Sequence, residues 1–370
     1  MDEQRLTIGV LFGGRSGEHE VSLLSARSVL SVLDPSRYNI IPIGITHEGV
    51  WLIGENVLEA LSKGQTAGLT RVTLLPYPGD STLYTIQNGK LSPLAKLDVV
   101  FPVLHGTFGE DGTLQGFLEL TDVAYVGAGV LGSSVGMDKA LFKDIMRTAG
   151  IRVLDSITVT RAQVENDMPG VIAAAEARLH YPVFVKPANL GSSVGITKCR
   201  TRSDLYEGAM EAARFDRRVL IEQGLEKPRE IEVSVLGNND PKASIPGEIR
   251  PTADFYTYAA KYIDGNTALF IPADLKPEQI TQIQDMAVKA YKAIDCAGMA
   301  RVDFLLSAVD EEIFLNEVNT IPGFTQISMY PKLWEASGIT YTQLVNRLVE
   351  LALERKSDRD HTEHQYGGAK

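Results

Sequence analysis

Met299–Asn319 reads MARVDFLLSAVDEEIFLNEVN, with two runs of strand character, Met299–Leu306 and Glu312–Asn319. Side chains two apart in a strand share a face, so Arg301 goes with Asp303, and Glu317 with Asn319. If the runs pair as neighbours, three oxygen ligands and one guanidinium converge on one patch. Oxygen-only donors suit Mg²⁺, which takes a few carboxylates and completes its shell with water and nucleotide phosphates. A lone acidic pair on a hairpin is ordinarily a solvated face. Here Phe304, Leu305, Phe314 and Leu315 read as buried, which favours a site.

Strand Glu230–Leu236, an irregular stretch Arg250–Leu275 and helix Pro277–Cys296 precede this pair, and helix Tyr341–Arg355 closes the fold. The tail Lys356–Lys370 is polar enough to be disordered. A unit upstream comprises strand Pro182–Lys186, loop Asn189–Gly195, helix Ser203–Arg214 and strand Arg218–Gln223. At the front, Thr7–Phe12 ends in Gly13-Gly14 and helix Glu20–Leu33 follows, with further buried strands at Asn39–Thr46 and Asp98–Leu104. Strands alternating with helices predict a parallel sheet with ligands at its carboxyl ends. Residues 54–92 carry no pattern and read as surface elaboration. A helix from Asp138 to Gly150 marks a lobe boundary, giving lobes 1–138, 139–229 and 230–356 with a polar tail 357–370.

The chain's 370 residues exceed one ordinary hydrophobic core. Its net charge of -11 argues against a nucleic-acid partner, which needs a basic surface. Two cysteines, Cys199 and Cys296, exclude a disulfide framework and a four-cysteine zinc site. The acidic start does not read as a signal peptide, no apolar run spans a membrane, and a cytoplasmic setting is expected.

Asn189–Gly195 offers backbone N–H groups and hydroxyls to phosphate oxygens, just after the strand bearing Lys186; plain hairpin turns have the same composition. Lys139 and Lys186 could both reach a phosphate. No Walker loop occurs, and the Gly13–Glu20 turn lacks GxGxxG spacing. His105 ends a strand in Leu104-His105-Gly106, a position more telling than that of most histidines.

Together these pieces resemble the D-alanine–D-alanine ligases of the ATP-grasp superfamily. The matching stretches run in order: Gly13-Gly14 with His19–Ser22, Leu104–Gly106, Gly109–Gly112, Met137–Lys139, Val185–Pro187, Gly191–Gly195, Tyr258–Tyr262, Ala300–Asp303, Asn316–Asn319, and Pro322-Gly323 leading to Ser328-Met329. The resemblance implies a three-domain α/β ATP-grasp fold with an N-terminal parallel-sheet, Rossmann-like domain, and a homodimer acting on D-alanine. It places ATP on Lys139, Lys186, Ser192, Ser193, Glu222, Gln223, Leu225, Glu230, Lys261 and Asn316, although some relatives carry lysine at Gln223. Two Mg²⁺ ions, with Mn²⁺ able to substitute, fall to Asp303, Glu317 and Asn319. Glu20 is implied to hold the first substrate's ammonium, while Arg301, Gly323, Ser328 and Met329 hold substrate groups. Glu20, Ser192, Tyr262, Arg301 and His105 are implied in catalysis, and Thr252–Asp264 resembles a lid.

The implied chemistry suits the residues. A carboxylate is a poor electrophile, so phosphorylation precedes amine attack. Lysines and metal screen the meeting of two anions, and Arg301 stabilises a developing oxyanion. Two other classes remain open: a different ATP-grasp carboxylate–amine ligase, which would share Asp303, Glu317 and Asn319, and a non-catalytic nucleotide-binding or redox protein, which would not need them.

Tyr262 carries the sharpest expectation about substrate choice. A hydroxyl placed to relay a proton favours an ammonium-bearing acceptor over D-lactate. Tyr262→Phe is expected to shift the product ratio toward the lactate product by roughly ten- to hundredfold, the worth of one functional hydrogen bond. Competition between D-alanine and D-lactate across pH measures this, and an unchanged ratio would leave Tyr262 a packing residue.

Overall fold

A computed structural model describes residues 5–191, 194–250 and 268–363. The N-terminal lobe contains β1 (Leu6–Gly13), α1 (His19–Val32), β2 (Tyr38–Ile45), β3 (Trp51–Ile53), α2 (Val57–Ser62), β4 (Thr70–Thr73), β5 (Thr82–Gln87), β6 (Lys90–Lys96), β7 (Val99–Val103), α3 (Thr113–Thr121), β8 (Ala124–Tyr125) and α4 (Val130–Met137). The central lobe follows with α5 (Lys139–Thr148), β9 (Ser156–Thr160), α6 (Arg161–Asn166), α7 (Met168–Glu176), β10 (Val183–Pro187), β11 (Thr197–Cys199), α8 (Arg202–Phe215) and β12 (Arg218–Gln223). The last lobe has β13 (Arg229–Leu236), β14 (Lys242–Ala243), β15 (Gly247–Arg250), β16 (Ala268–Phe270), α9 (Pro277–Ala293), β17 (Met299–Leu306), β18 (Ile313–Asn319), α10 (Met329–Ala336) and α11 (Tyr341–Arg359).

The first sheet has the order β6-β5-β4-β3-β2-β1-β7-β8. Its β2-β1-β7-β8 half is parallel, as the alternation of strands and helices predicts. The other half is antiparallel and built from residues 51–96, so residues 54–92 are not surface elaboration but three strands that widen the sheet. Short strands exposed on one face give a weak apolar pattern. Asn88-Gly89 is the readable signal: both residues have positive φ, 51° and 73°, as a tight hairpin turn between β5 and β6 requires.

Alternation along β1 divides the core. Ile8, Val10 and Phe12 face one cluster, while Leu11 faces another with Ile43, Val100 and Leu118. The first cluster is completed from the far end of the chain, by Leu344, Leu348 and Val349 of α11. That helix runs to Arg359, four residues beyond its expected end. Lys356 and Arg359, expected in a disordered tail, pair with Asp122, at 3.1 and 3.0 Å, and Arg359 also pairs with Glu119. In the same manner Phe142 and Met146 of α5 enter the core beneath β13, β17 and β18. The cores therefore interlock the lobes rather than follow chain order.

The central sheet is antiparallel, β11-β10-β12-β9, and the last sheet runs β16-β15-β13-β17-β18 with β14 on β13. Among the described residues no helix is long and apolar enough to cross a membrane. Because Leu348 is fully buried between α11 and the first sheet, Leu348→Ala should cost about 3 kcal/mol through lost transfer energy and a cavity. Urea unfolding followed by tryptophan fluorescence checks it; a loss below about 1 kcal/mol would mean that α11 does not stabilise the first sheet.

Candidate functional site

β17 and β18 are antiparallel neighbours, with Arg301 opposite Asn319 and Asp303 opposite Glu317. Val302, Phe304 and Leu306 alternate into the core, which leaves Arg301, Asp303 and Leu305 on the cavity side. A bulge follows Asp303, so Asn316 has no partner of its own in the register and both Asn316 and Glu317 line the cavity. β13 on the other flank sets Glu232 opposite Asp303 and Glu230 opposite Leu305. Leu305 and Phe314, expected to be buried, are only partly so.

Arg301 grips Asp303 through two bonds, from Nε at 2.7 Å and from a terminal nitrogen at 2.6 Å, and lies 3.0 Å from Glu232. Asn319 Nδ2 donates to Asp303 at 3.0 Å. Burial opposes the charge of Arg301, but Asp303, Glu232 and Glu317 outweigh it and hold its pKa well above the usual range. One guanidinium faces three carboxylates, so this oxygen-rich floor keeps an excess of negative charge. Its donor set fits a hard divalent cation.

The floor belongs to a cavity of about 1020 Å³ that all three lobes line, large enough for a nucleotide and a small substrate together. From the central lobe come Lys139, Lys186, Glu222, Gln223 and Leu225. Lys139 Nζ donates to the Leu190 carbonyl at 2.6 Å, tying α5 to the glycine-rich loop. Glu222 is buried between Lys186 and Lys143, pairing with both. Burial alone would raise its carboxyl; the two ammonium groups overcome that and bring it to about 2. Gln223 spends its side chain on the backbone of His180, accepting at 2.9 Å and donating at 2.8 Å.

On the N-terminal side, Gly13 (φ +89°) turns the chain so tightly that a Cβ would sit 2.3 Å from the Ile45 carbonyl oxygen. Ser22 then accepts from Gly13 N–H at 2.7 Å and donates to the Val103 carbonyl, fixing α1 across the parallel strands. His105 is buried; its Nδ1–H donates to the Ile321 carbonyl and its Nε2 accepts from Ser25, both at 3.0 Å. Ser25 in turn accepts from Phe324 N–H at 3.3 Å. Burial lowers the pKa of His105, and this ring docks the first lobe against the loop that follows β18. Burial, then the charge of Glu18, pushes the Glu110 carboxyl well above its usual range.

Most of the expected residues meet here: His105, Lys139, Lys186, Glu222, Gln223, Leu225, Glu230, Arg301, Asp303, Asn316, Glu317, Asn319, Gly323, Ser328 and Met329 all line the cavity. Glu20 does not. It is exposed on α1, as are Arg27 and Ser31 further along the helix. Glu18 lies on the buried stripe with Ser22, Ser25 and Val29, lines the cavity, and brings Oε2 so near Gly191 that a Cβ there would stand 2.9 Å away. Counting helical phase back from the apolar positions would have singled it out. Lys143 and Glu232 were also missed, since nothing local distinguishes them from surface charges. Ser192, Ser193, Lys261, Tyr262 and the stretch Thr252–Asp264 lie outside the described residues.

Comparison with known proteins gives a consistent result. Residues 7–128 match the family described as D-ala D-ala ligase N-terminus, and residues 145–350 match the D-ala D-ala ligase C-terminus. The chain is 49% identical over 361 residues to a D-alanine–D-alanine ligase of Natranaerobius thermophilus, covering 96% of this chain and 97% of that one. It is 45% identical over 353 residues to the corresponding ligase of Geobacillus thermodenitrificans, covering 95% and 96%. Among solved structures, the D-alanine–D-alanine ligase of Coxiella burnetii superposes with a TM-score of 0.82 at 37% identity, covering 97% of each chain. The VanG D-Ala:D-Ser ligase of Enterococcus faecalis gives 0.83 at 36%, covering 94% and 100%.

The Glu222 network yields a stability test. Its folded-state pKa of about 2 lies below the ordinary 4.5, so its stabilisation is present above about pH 4.5 and is lost as pH falls toward 2. Lys143→Met should cost about 3 kcal/mol at neutral pH by removing one cation from a buried pair. The gap from wild type should narrow as pH falls from 4.5 to 2. Denaturant unfolding across that range measures it, and a constant gap would show that Glu222 does not depend on Lys143 for its charge.

Proposed function

The chain belongs to the D-alanine–D-alanine ligase family, and from that premise we propose that its central cavity couples ATP cleavage to the joining of two D-alanines for cell-wall precursor synthesis. The observation that carries this reading is the Arg301, Asp303, Glu317 and Asn319 patch on paired strands, facing two lysines from another lobe across one cavity.

Lys139 and Lys186 take the nucleotide phosphates, with Ser192, Ser193 and Lys261 assisting. Lys186 can leave Glu222 for a phosphate because Lys143 continues to neutralise that buried carboxylate. Glu222, Gln223 and Leu225 border the adenine; Gln223 does so through its backbone, since its side chain is committed to His180. Glu230 binds the ribose, and Asn316 adds a polar contact beside it. Asp303, Glu317 and Asn319 would hold two Mg²⁺, or Mn²⁺, and these ions would supply charge neutralisation at the transferring phosphoryl group.

Glu18 takes the role expected of Glu20 and holds the ammonium of the first D-alanine, which presents its carboxylate to the γ-phosphate. His105 positions this end of the cavity through its bonds to Ser25 and Ile321. Gly323 in the loop after β18, with Ser328 and Met329 at the start of α10, receives the second D-alanine. Its amine loses a proton through Glu18, Ser192 and Tyr262, attacks the acyl phosphate and expels phosphate. Arg301, held charged by its carboxylate neighbours, stabilises the oxyanion in that step. Action as a cytoplasmic homodimer completes the proposal, and sedimentation tests the dimer.

The test is D-alanine-dependent ADP release with mass identification of the dipeptide. Glu317→Gln should lower turnover roughly a hundredfold or more by weakening both metal positions, and a folded variant with near-wild-type turnover at saturating Mg²⁺ overturns the metal assignment. Glu18→Gln should raise KM for the first D-alanine by roughly tenfold or more. Loss on Glu20→Gln with none on Glu18→Gln would return the role to Glu20.

A further inference from the structure

Outside the cavity, the start of α1 meets the turn between β2 and β3. His19 and His47 stack there with ring centroids 3.9 Å apart at an interplanar angle of 24°. His19 Nδ1 lies 2.8 Å from the Gly14 carbonyl oxygen. A carbonyl can only accept, so Nδ1 carries the hydrogen, which leaves Nε2 as the nitrogen able to ligate. A backbone carbonyl on one ring nitrogen is the arrangement that orients a metal-ligating histidine. Glu20 Oε1 stands 4.0 Å from His47 Nε2. One donor atom from each of the three residues lies within 4.8 Å of the others. The Glu48 carboxylate is within electrostatic reach of both rings.

We propose that His19, Glu20 and His47 form a second metal site, separate from the carboxylate floor, for a divalent transition ion of the zinc, cobalt and nickel class. Two neutral imidazoles with one carboxylate suit such ions and disfavour Mg²⁺, which prefers oxygen. Ligand bonds of about 2.0–2.2 Å place donors roughly 3–3.5 Å apart, so the present spacing must contract slightly. His19 is buried and fixed, whereas the side chains of His47 and Glu20 are 63% and 66% exposed and can swing onto it. Water fills the remaining position. None of the three residues lines the central cavity, so the site stands independently of the ligase reading. Occupancy would staple the α1 start to the β2–β3 turn and stiffen the Gly13–Glu18 segment between them.

The experiment is calorimetric titration of the full chain with Zn²⁺, in excess Mg²⁺ and without nucleotide, and with Co²⁺ as the optical probe. Wild type should bind one Zn²⁺ with micromolar or tighter affinity and develop Co²⁺ visible absorption. His47→Ala and Glu20→Ala should each weaken Zn²⁺ binding at least tenfold and lose that absorption, while Asp303→Asn should retain both. Zn²⁺ should raise the melting temperature of wild type and not of His47→Ala. Equal titration of His47→Ala and wild type, loss of binding in Asp303→Asn, or no wild-type binding below millimolar Zn²⁺ would each overturn the site.

Discussion

The floor of the cavity depends on one partly buried cation. Arg301 sits where β13, β17 and β18 run side by side, and its guanidinium faces Asp303, Glu232 and Glu317. Without it, acids crowded on a partly buried sheet would meet with no cation among them, and unpaired charges are costly to bury. With it, one guanidinium offsets part of their charge and the donor set still fits a divalent cation. The fork of donors is needed for this, because Asp303 takes two of them and Glu232 lies beside the same group.

A second constraint is the way the lobes share cores. α11 completes the core beneath β1, and α5 completes the core beneath β13, β17 and β18. The first and last lobes are therefore each held by a segment from another lobe, which ties the cavity walls together. His105 does similar work at closer range, linking α1 through Ser25 to the loop after β18. The Lys143–Glu222–Lys186 group plays the corresponding part on the central-lobe side of the cavity. It stores a charged carboxylate in a buried place by surrounding it with two ammonium groups.

Much of this was legible in the chain itself. The period-two pattern of Met299–Leu306 and Glu312–Asn319 determined which residues would share a face, because strand side chains alternate. The apolar runs at β1, β2 and β7 determined the parallel half of the first sheet. Many short motifs in one order identified the family, where any one of them is ambiguous. Local phase also contained the distinction between Glu18, buried at the cavity, and Glu20, exposed away from it.

The remaining features arise from contacts between segments far apart in the chain. The bulge that turns both Asn316 and Glu317 into the cavity arises from pairing with β17, and pairing is not a property of one strand. Residues 54–92 gain their order from a sheet edge supplied by β3, so their own pattern is weak. Lys143 and Glu232 look like surface charges in the sequence and acquire meaning from partners 79 and 69 residues away, at Glu222 and Arg301. Alternation and helical phase are local and so can be read along the chain. Charge compensation between distant segments is a matter of proximity in space, which no local pattern records.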